Sequence, residues 1–66
     1  MGTETVAVTA DDLGQVILER TRIGLYLKVT AIHVATGLES TAVGPAAEPR
    51  AVERLAVAKL ARMRSR

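Results

Sequence analysis

Residues 16–21 read Val16-Ile17-Leu18-Glu19-Arg20-Thr21, residues 22–24 read Arg22-Ile23-Gly24, and residues 25–32 read Leu25-Tyr26-Leu27-Lys28-Val29-Thr30-Ala31-Ile32. Both longer runs are rich in β-branched and aliphatic residues and alternate with period two, which is typical of half-buried strands. Because glycine tolerates positive φ, Gly24 predicts a tight hairpin turn between them. With Ile23 and Gly24 as the turn residues, Glu19 faces Lys28 across the ladder, and this opposite-charge pair favours that register.

Downstream of the hairpin, the sequence predicts a third strand and a helix. Thr36-Gly37 suits a type I turn closed by a left-handed glycine, and residues 38–43 then return as a strand. Gly44-Pro45 ends this strand because proline cannot donate to a ladder. Pro49 suits the first position of a helix that reaches about residue 64. Its apolar face repeats at helical spacing and comprises Val52, Leu55, Ala56, Leu60 and Met63.

These elements predict an α+β fold, a three-stranded antiparallel β-meander followed by one C-terminal amphipathic helix packed on one sheet face (β-β-β-α). The helix covers the face formed by Val16, Leu18, Leu27 and Val29. We expect residues 15–66 to form a single domain. Residues 1–14 lack large apolar side chains that could anchor them to the core. We therefore expect this segment to be either a flexible arm or an edge strand.

Composition narrows the classes of function that are open to the chain. The 66 residues contain no cysteine and one aromatic residue, Tyr26, which excludes a disulfide scaffold, a thiolate zinc site and an aromatic platform for single-stranded nucleic acid. A chain of this size buries only about 60% of the surface that it exposes when unfolded. Without a disulfide, self-association is the remaining way to stabilise it.

No residue pattern predicts catalysis, and we expect a protein that is not an enzyme and that uses no metal or cofactor. His33 is the only histidine, and no serine lies in a nucleophile-elbow pattern. A histidine at the start of a turn more often makes a local hydrogen bond than it acts as a general base. Asp11-Asp12 lacks the alternating spacing of a calcium loop and is typical of a turn. The isolated glycines form no phosphate-binding loop.

The sheet face opposite the helix is the predicted contact surface. It carries Ile17, Tyr26, Thr30 and Ile32, which are too apolar for ordinary solvent-exposed surface. We therefore expect an adaptor-like module that forms a homo-oligomer, most simply a dimer, through this face or the sheet edge, with an unidentified protein as a further partner.

A nucleic-acid-binding module is the alternative. The chain is acidic at its front and closes with cations, and a sheet backed by a helix can enter a DNA groove. The residues that would bind are Arg20, Arg22, Lys28, Arg62 and Arg64. No apolar run approaches the length of a membrane span and the start lacks a signal-peptide pattern, so a membrane partner is not expected and the cytoplasm is the expected location.

Three stretches resemble a family of small bacterial proteins of unknown function: residues 24–32, residues 35–39 (Ala-Thr-Gly-Leu-Glu) and residues 43–46 (Val-Gly-Pro-Ala). Residues 55–60 (Leu-Ala-Val-Ala-Lys-Leu) match the helix core of that family, and the resemblance covers residues 15–63. His33 departs from it, because the family pattern has an aspartate before the turn. The resemblance implies one domain and carries over no catalytic or binding residue.

Overall fold

The fold is a four-stranded antiparallel sheet with one helix across one face, as seen in a computed structural model that describes residues 2–64. The strands lie in chain order across the sheet, β1-β2-β3-β4, and the helix α1 follows them. Their bounds are Thr3–Ala10 for β1, Gly14–Ile23 for β2, Tyr26–His33 for β3, Glu39–Pro45 for β4 and Pro49–Arg64 for α1. Within this described part of the chain, no helix combines the length and hydropathy of a membrane span.

The α+β class and the C-terminal helix are confirmed, whereas the prediction of three strands is wrong. The additional strand is β1, which pairs antiparallel with β2 along its whole length, from Thr3 opposite Thr21 to Ala10 opposite Gly14. Of the two alternatives for the N-terminal segment, the structure therefore has the edge strand. Backbone hydrogen bonds to β2 order this segment, and they need no large side chains. Val6 and Val8 are half-buried on the helix side, and Val8 packs against the core.

The β2–β3 hairpin forms as predicted, but its predicted register is wrong by two residues. The turn consists of Gly24 and Leu25, and Ile23 lies opposite Tyr26. Gly24 has a φ of 59°, which places it at the first central position of a type II′ turn, the position that favours glycine. Glu19 consequently lies opposite Thr30 rather than Lys28. A shift of two residues preserves the side-chain alternation, so each residue still faces the predicted side of the sheet.

The β3–β4 turn and the end of β4 follow the predicted sequence signals. Gly37 adopts the left-handed conformation with a φ of 78°, and its N–H donates to the carbonyl of His33 at 2.7 Å. Strand β4 ends at Pro45, where the Ala46 N–H donates to the carbonyl of Leu25 at 2.8 Å. That hydrogen bond ties the end of β4 to the β2–β3 turn and directs the chain into the helix.

Helix α1 packs against β3 and β4 through a narrow stripe of side chains, Val52, Ala56 and Leu60. The prediction that Leu55 and Met63 share this buried face is wrong, because both are exposed. The i, i+4 spacing of 52, 56 and 60 keeps the contact to a single ridge of the helix. The core beneath this ridge includes Val16, Leu18, Leu27, Val29, Ala31 and Ala42.

Two features of β4 let the helix lie close to the sheet. Gly44 has no side chain, and a Cβ built there would lie 2.8 Å from Cγ2 of Val52, closer than carbon atoms approach one another. Buried Ser40 donates its hydroxyl to the carbonyl of Ala56 at 2.5 Å. Small residues on β4 thus bring the helix backbone within hydrogen-bonding reach of the sheet.

Candidate interaction surface

Helix α1 covers one face of the sheet, and the described residues leave the other face open. The strand register arranges its side chains in rows across the sheet, with a short row of Thr9 and Gln15 beside the β1–β2 turn and four rows beyond it. From that short row to the β2–β3 turn, the first of the four is Ala7, Ile17, Ile32 and Glu39, the second is Thr5, Glu19, Thr30 and Thr41, the third is Thr3, Thr21, Lys28 and Val43, and the fourth is Ile23, Tyr26 and Pro45. We call this surface the open face.

All four predicted contact residues lie on the open face, although they do not form one cluster. Ile17 and Ile32 are direct cross-strand partners in the first row and are half-buried. Thr30 lies in the second row, 3.3 Å from the hydroxyl oxygen of Thr41. Tyr26 lies in the fourth row, and the third row, which contains Lys28, separates it from Thr30. The open face therefore has apolar groups at both ends and polar rows between them.

Two further apolar residues extend the Tyr26 end of the open face. Val43 is 61% exposed in the row next to Tyr26, which is 63% exposed, and Ile23 is also exposed opposite Tyr26. Residues 38–43 carry apolar side chains at both odd and even positions, so the sequence alone does not assign Val43 to a face of the sheet. Once Gly24-Leu25 is recognised as a type II′ turn, Ile23 becomes the last strand residue and joins the open face.

Of the five cations predicted for nucleic-acid binding, Arg20 is held by two carboxylates. Its guanidinium contacts the carboxylates of Glu4 on β1 and Glu53 on α1, each at 2.6 Å. It lies on the helix side of the sheet, as the alternation predicted. Because both contacts come from other elements, Arg20 acts as a brace between β1, β2 and α1.

The other four cations are spread over separate surfaces. Arg22 donates from Nε to the carbonyl of Gly24 at 3.1 Å on the helix side, while Lys28 lies on the open face. Arg62 and Arg64 are exposed in the last turn of α1. No single groove or patch contains all five side chains.

The two carboxylates that bind Arg20 differ in exposure, and we expect them to contribute unequally to stability. Glu53 is 21% exposed and Glu4 is 66% exposed. We expect Glu53→Gln to lower the free energy of unfolding by about 1–2 kcal/mol, because it weakens a part-buried charged hydrogen bond. The exposed contact is screened by solvent, so Glu4→Gln is expected to cost under about 0.5 kcal/mol. Urea unfolding at one fixed protein concentration measures both losses, and equal losses would contradict the brace.

His33 is buried and joins two turns. Its Nε2 lies 2.7 Å from the carbonyl oxygen of Leu13, and a carbonyl can only accept, so Nε2 carries the proton. Its Nδ1 lies 2.7 Å from the hydroxyl of Thr36. The predicted local hydrogen bond of a histidine at the start of a turn is therefore confirmed. Both ring nitrogens are engaged, and the ring links the β1–β2 turn to the β3–β4 turn.

The remaining candidates for chemistry form no site among residues 2–64. Asp11 and Asp12 occupy the tight turn between β1 and β2, which confirms the prediction of a turn. Nowhere in that range do three histidine, aspartate or glutamate side chains come together as a metal ion would require. Ser40 is engaged with the carbonyl of Ala56, beneath the helix.

Comparison with known proteins assigns the chain to a sequence family. Neither the curated proteins nor the solved structures contain a significant match to it. A family model described as a domain of unknown function, DUF6898, matches residues 13–66 and therefore covers β2, β3, β4 and α1. Strand β1 precedes the matched region, so the part that matches is the β-β-β-α unit that the sequence predicted. The chain belongs to the DUF6898 family.

Proposed function

We propose that this chain is a small non-enzymatic interaction module that self-associates through the surface of its sheet that α1 leaves uncovered. The observation that supports this proposal is the presence of apolar side chains at both ends of the open face. Ile17 and Ile32 form one apolar pair, and Tyr26 lies with exposed Ile23 and Val43 at the other end. Exposed apolar groups that cluster on a small sheet are typical of an interface.

The size of the core is the second support. Ten hydrophobic residues are buried among residues 2–64, of which three are alanines, and the chain contains no cysteine to cross-link it. Natural domains of this size commonly gain stability from a metal, a disulfide or a partner subunit. A second copy supplies additional apolar contacts without another gene product, and a homodimer is the simplest such assembly.

Tyr26 is the residue most suited to anchor the contact. A tyrosine buries a large area at a low cost in side-chain entropy, and tyrosine is enriched among residues that dominate binding. Its position in the last row, flanked by Ile23 and Pro45, lets the ring lie against a partner while the hydroxyl stays in contact with water. An adaptor role, an unidentified protein partner and a cytoplasmic location remain predictions from the sequence.

Binding of nucleic acid is less well supported by the geometry. Such binding draws its affinity from several cations that contact neighbouring phosphates. Arg20 is neutralised by Glu4 and Glu53, and Lys28 and the last-turn arginines lie on different surfaces. The arrangement of residues 2–64 therefore supports self-association better than it supports binding to a nucleic-acid duplex.

Replacing Tyr26 with alanine tests the open face directly. We expect the midpoint concentration for self-association to rise at least about tenfold, because a buried aromatic anchor is lost. Light scattering behind size exclusion over a range of concentrations measures the shift. Leu55→Ala is the matched control, since Leu55 is an exposed apolar residue of α1 and lies away from the open face. If Tyr26→Ala leaves the midpoint unchanged, the open face is not the contact.

A further inference from the structure

The two edges of the sheet differ in how well they are protected against pairing with a further strand. At the β4 edge, Lys59 donates from its ammonium group to the carbonyl of Thr41 at 2.6 Å, and Pro45 ends the strand. Strand β1 has eight residues, no proline and no lysine, and nothing in residues 2–64 pairs with its outer side. Its one charge, Glu4, is bound to Arg20. A long edge without such protection is a template for strand addition.

The hairpin with β2 determines which backbone N–H and C=O groups of β1 point outward at this edge. The carbonyl of Ala10 accepts from the Leu13 N–H at 3.2 Å, so the backbone of Ala10 points toward β2. The carbonyl of Gln15 accepts from the Val34 N–H at 3.2 Å, so the backbone of Gln15 points toward β3. Thr9 lies opposite Gln15, and its backbone groups therefore point outward, away from β2. Because backbone direction alternates along a strand, Thr5 and Ala7 also direct their N–H and C=O groups outward.

The sequence of this edge is symmetric about Ala7. Residues 5–9 read Thr-Val-Ala-Val-Thr in either direction. When two copies pair antiparallel about a two-fold axis at Ala7, Ala7 meets Ala7, Val6 meets Val8, and Thr5 meets Thr9. An isologous contact requires this kind of self-complementarity. The stretch carries no charge, so two copies meet without repulsion, and Glu4 lies opposite Ala10.

We infer that β1 is a dimerisation strand, which joins two copies of this chain edge to edge into one eight-stranded sheet centred on Ala7. This inference rests on the proposed self-association, and it adds a contact at the edge of the sheet, the seam, to the contact proposed at the open face. Outward-facing Thr5, Ala7 and Thr9 exchange backbone hydrogen bonds across the axis. On the helix side, half-buried Val6 and Val8 of each copy pack against their counterparts. The Thr5 and Thr9 side chains meet as the Thr3 and Thr21 hydroxyls already do within the sheet, at 3.0 Å.

Charge placed at the axis tests the seam. Residue 7 of one copy lies opposite residue 7 of the other in this dimer. Like charges therefore repel when Ala7→Lys or Ala7→Glu is present alone, whereas opposite charges attract in an equimolar mixture of the two variants. Ala7 is exposed in the single chain, and neither substitution removes a core contact. All variants are made in the Tyr26→Ala chain, where the open-face contact is weakened. We expect each charged variant to have the mass of one chain by light scattering, and the mixture to have the mass of two. Far-UV circular dichroism confirms that each variant is folded.

The matched control is Glu39→Lys, because Glu39 lies in the same cross-strand row as Ala7 at the opposite, β4 edge. This control is expected to keep the mass of two chains. Amide hydrogen exchange gives a second readout that an open-face contact does not produce. We expect exchange at Thr5, Ala7 and Thr9 to slow at least about tenfold at concentrations where the dimer forms. Val6 and Val8, which already bond to β2, are expected to change less.

The outcomes separate this inference from the proposed function. If Ala7→Lys and Ala7→Glu keep the mass of two chains, or if their mixture does not restore it, the seam about Ala7 is wrong while self-association through the open face stands. If the Tyr26→Ala substitution alone abolishes association and the outward amides stay unprotected, the contact is the open face only. If the unaltered chain is a single copy at every concentration, both are overturned.

Discussion

Replacing Leu60 with alanine is expected to lower the free energy of unfolding by about 2–5 kcal/mol. Leu60 is 0% exposed and is the largest of the fully buried side chains, in the ridge of α1 that lies on β3 and β4. Truncating a buried leucine to alanine costs about 2–5 kcal/mol, since it removes apolar contacts and leaves a cavity. A domain of this length has a total stability of roughly 3–10 kcal/mol, at 0.05–0.15 kcal/mol per residue. The single change therefore removes a large part of the stability.

Leu55→Ala is the matched control for this prediction. It deletes the same atoms from the same helix, but Leu55 is 48% exposed on the outer side. We expect this control to stay within about 0.5 kcal/mol of the unaltered chain, as surface substitutions usually do. Thermal and urea unfolding followed by far-UV circular dichroism, at one protein concentration, measure both. Similar losses for the two variants would show that the helix does not pack through the ridge of Val52, Ala56 and Leu60.

Replacing Gly44 with alanine is expected to lower the free energy of unfolding by about 1–3 kcal/mol through overpacking. The added Cβ would lie 2.8 Å from Cγ2 of Val52, and Val52 is buried. A valine in a helix has one strongly preferred χ1 rotamer, so its side chain cannot turn away at low cost. The helix must shift away from β4, and the hydrogen bond from Ser40 to the Ala56 carbonyl stretches with it.

A double-mutant cycle with Val52→Ala identifies the cause. Val52→Ala removes the methyl group that the new Cβ meets, so the double variant is expected to lose at least about 1 kcal/mol less than the sum of the single variants. Gly2→Ala is the control glycine, because a Cβ there would meet nothing within 4 Å. Additive losses for Gly44 and Val52 would mean that the glycine is needed for a reason other than close helix approach.

The hairpin shows which part of the fold the sequence determines well. Alternation assigned residues 16–22 of β2 and residues 26–32 of β3 to the correct faces, because an error of two residues in register does not change parity. The register itself depended on where Gly24 sits in the turn. A type II′ turn needs its glycine first, and the Glu19–Lys28 charge pair favoured a different alignment that the backbone of the turn does not allow.

Strand β1 and the two buried polar residues were harder to predict, for related physical reasons. The order of β1 comes from main-chain pairing with β2, and side-chain composition reports that pairing poorly. His33 and Ser40 are polar and would be expected at the surface. They can be buried because their polar atoms have hydrogen-bond partners. The Thr36 hydroxyl is local to His33, whereas the Leu13 and Ala56 carbonyls are 20 and 16 residues away from His33 and Ser40.

The candidate contact residues were assigned to the correct face, but their separation could not be predicted. Ile17 and Ile32 become neighbours only in the observed register. The same register puts the row with Lys28 between Thr30 and Tyr26, and it adds Ile23 and Val43 to the Tyr26 end. Leu55 was assigned to the core because periodicity describes a broad apolar stripe. In this small domain the sheet contacts only the narrower part of that stripe.

Self-association of the unaltered chain is the claim on which the proposed module and its seam both depend. Light scattering behind size exclusion, from low to high micromolar concentration, tests it most directly. We predict that the measured mass rises with concentration to at least twice the 7.0 kDa of one chain. A mass that stays at that of one chain throughout would contradict the proposal, because the open face and the outer edge of β1 would then both be stable in water.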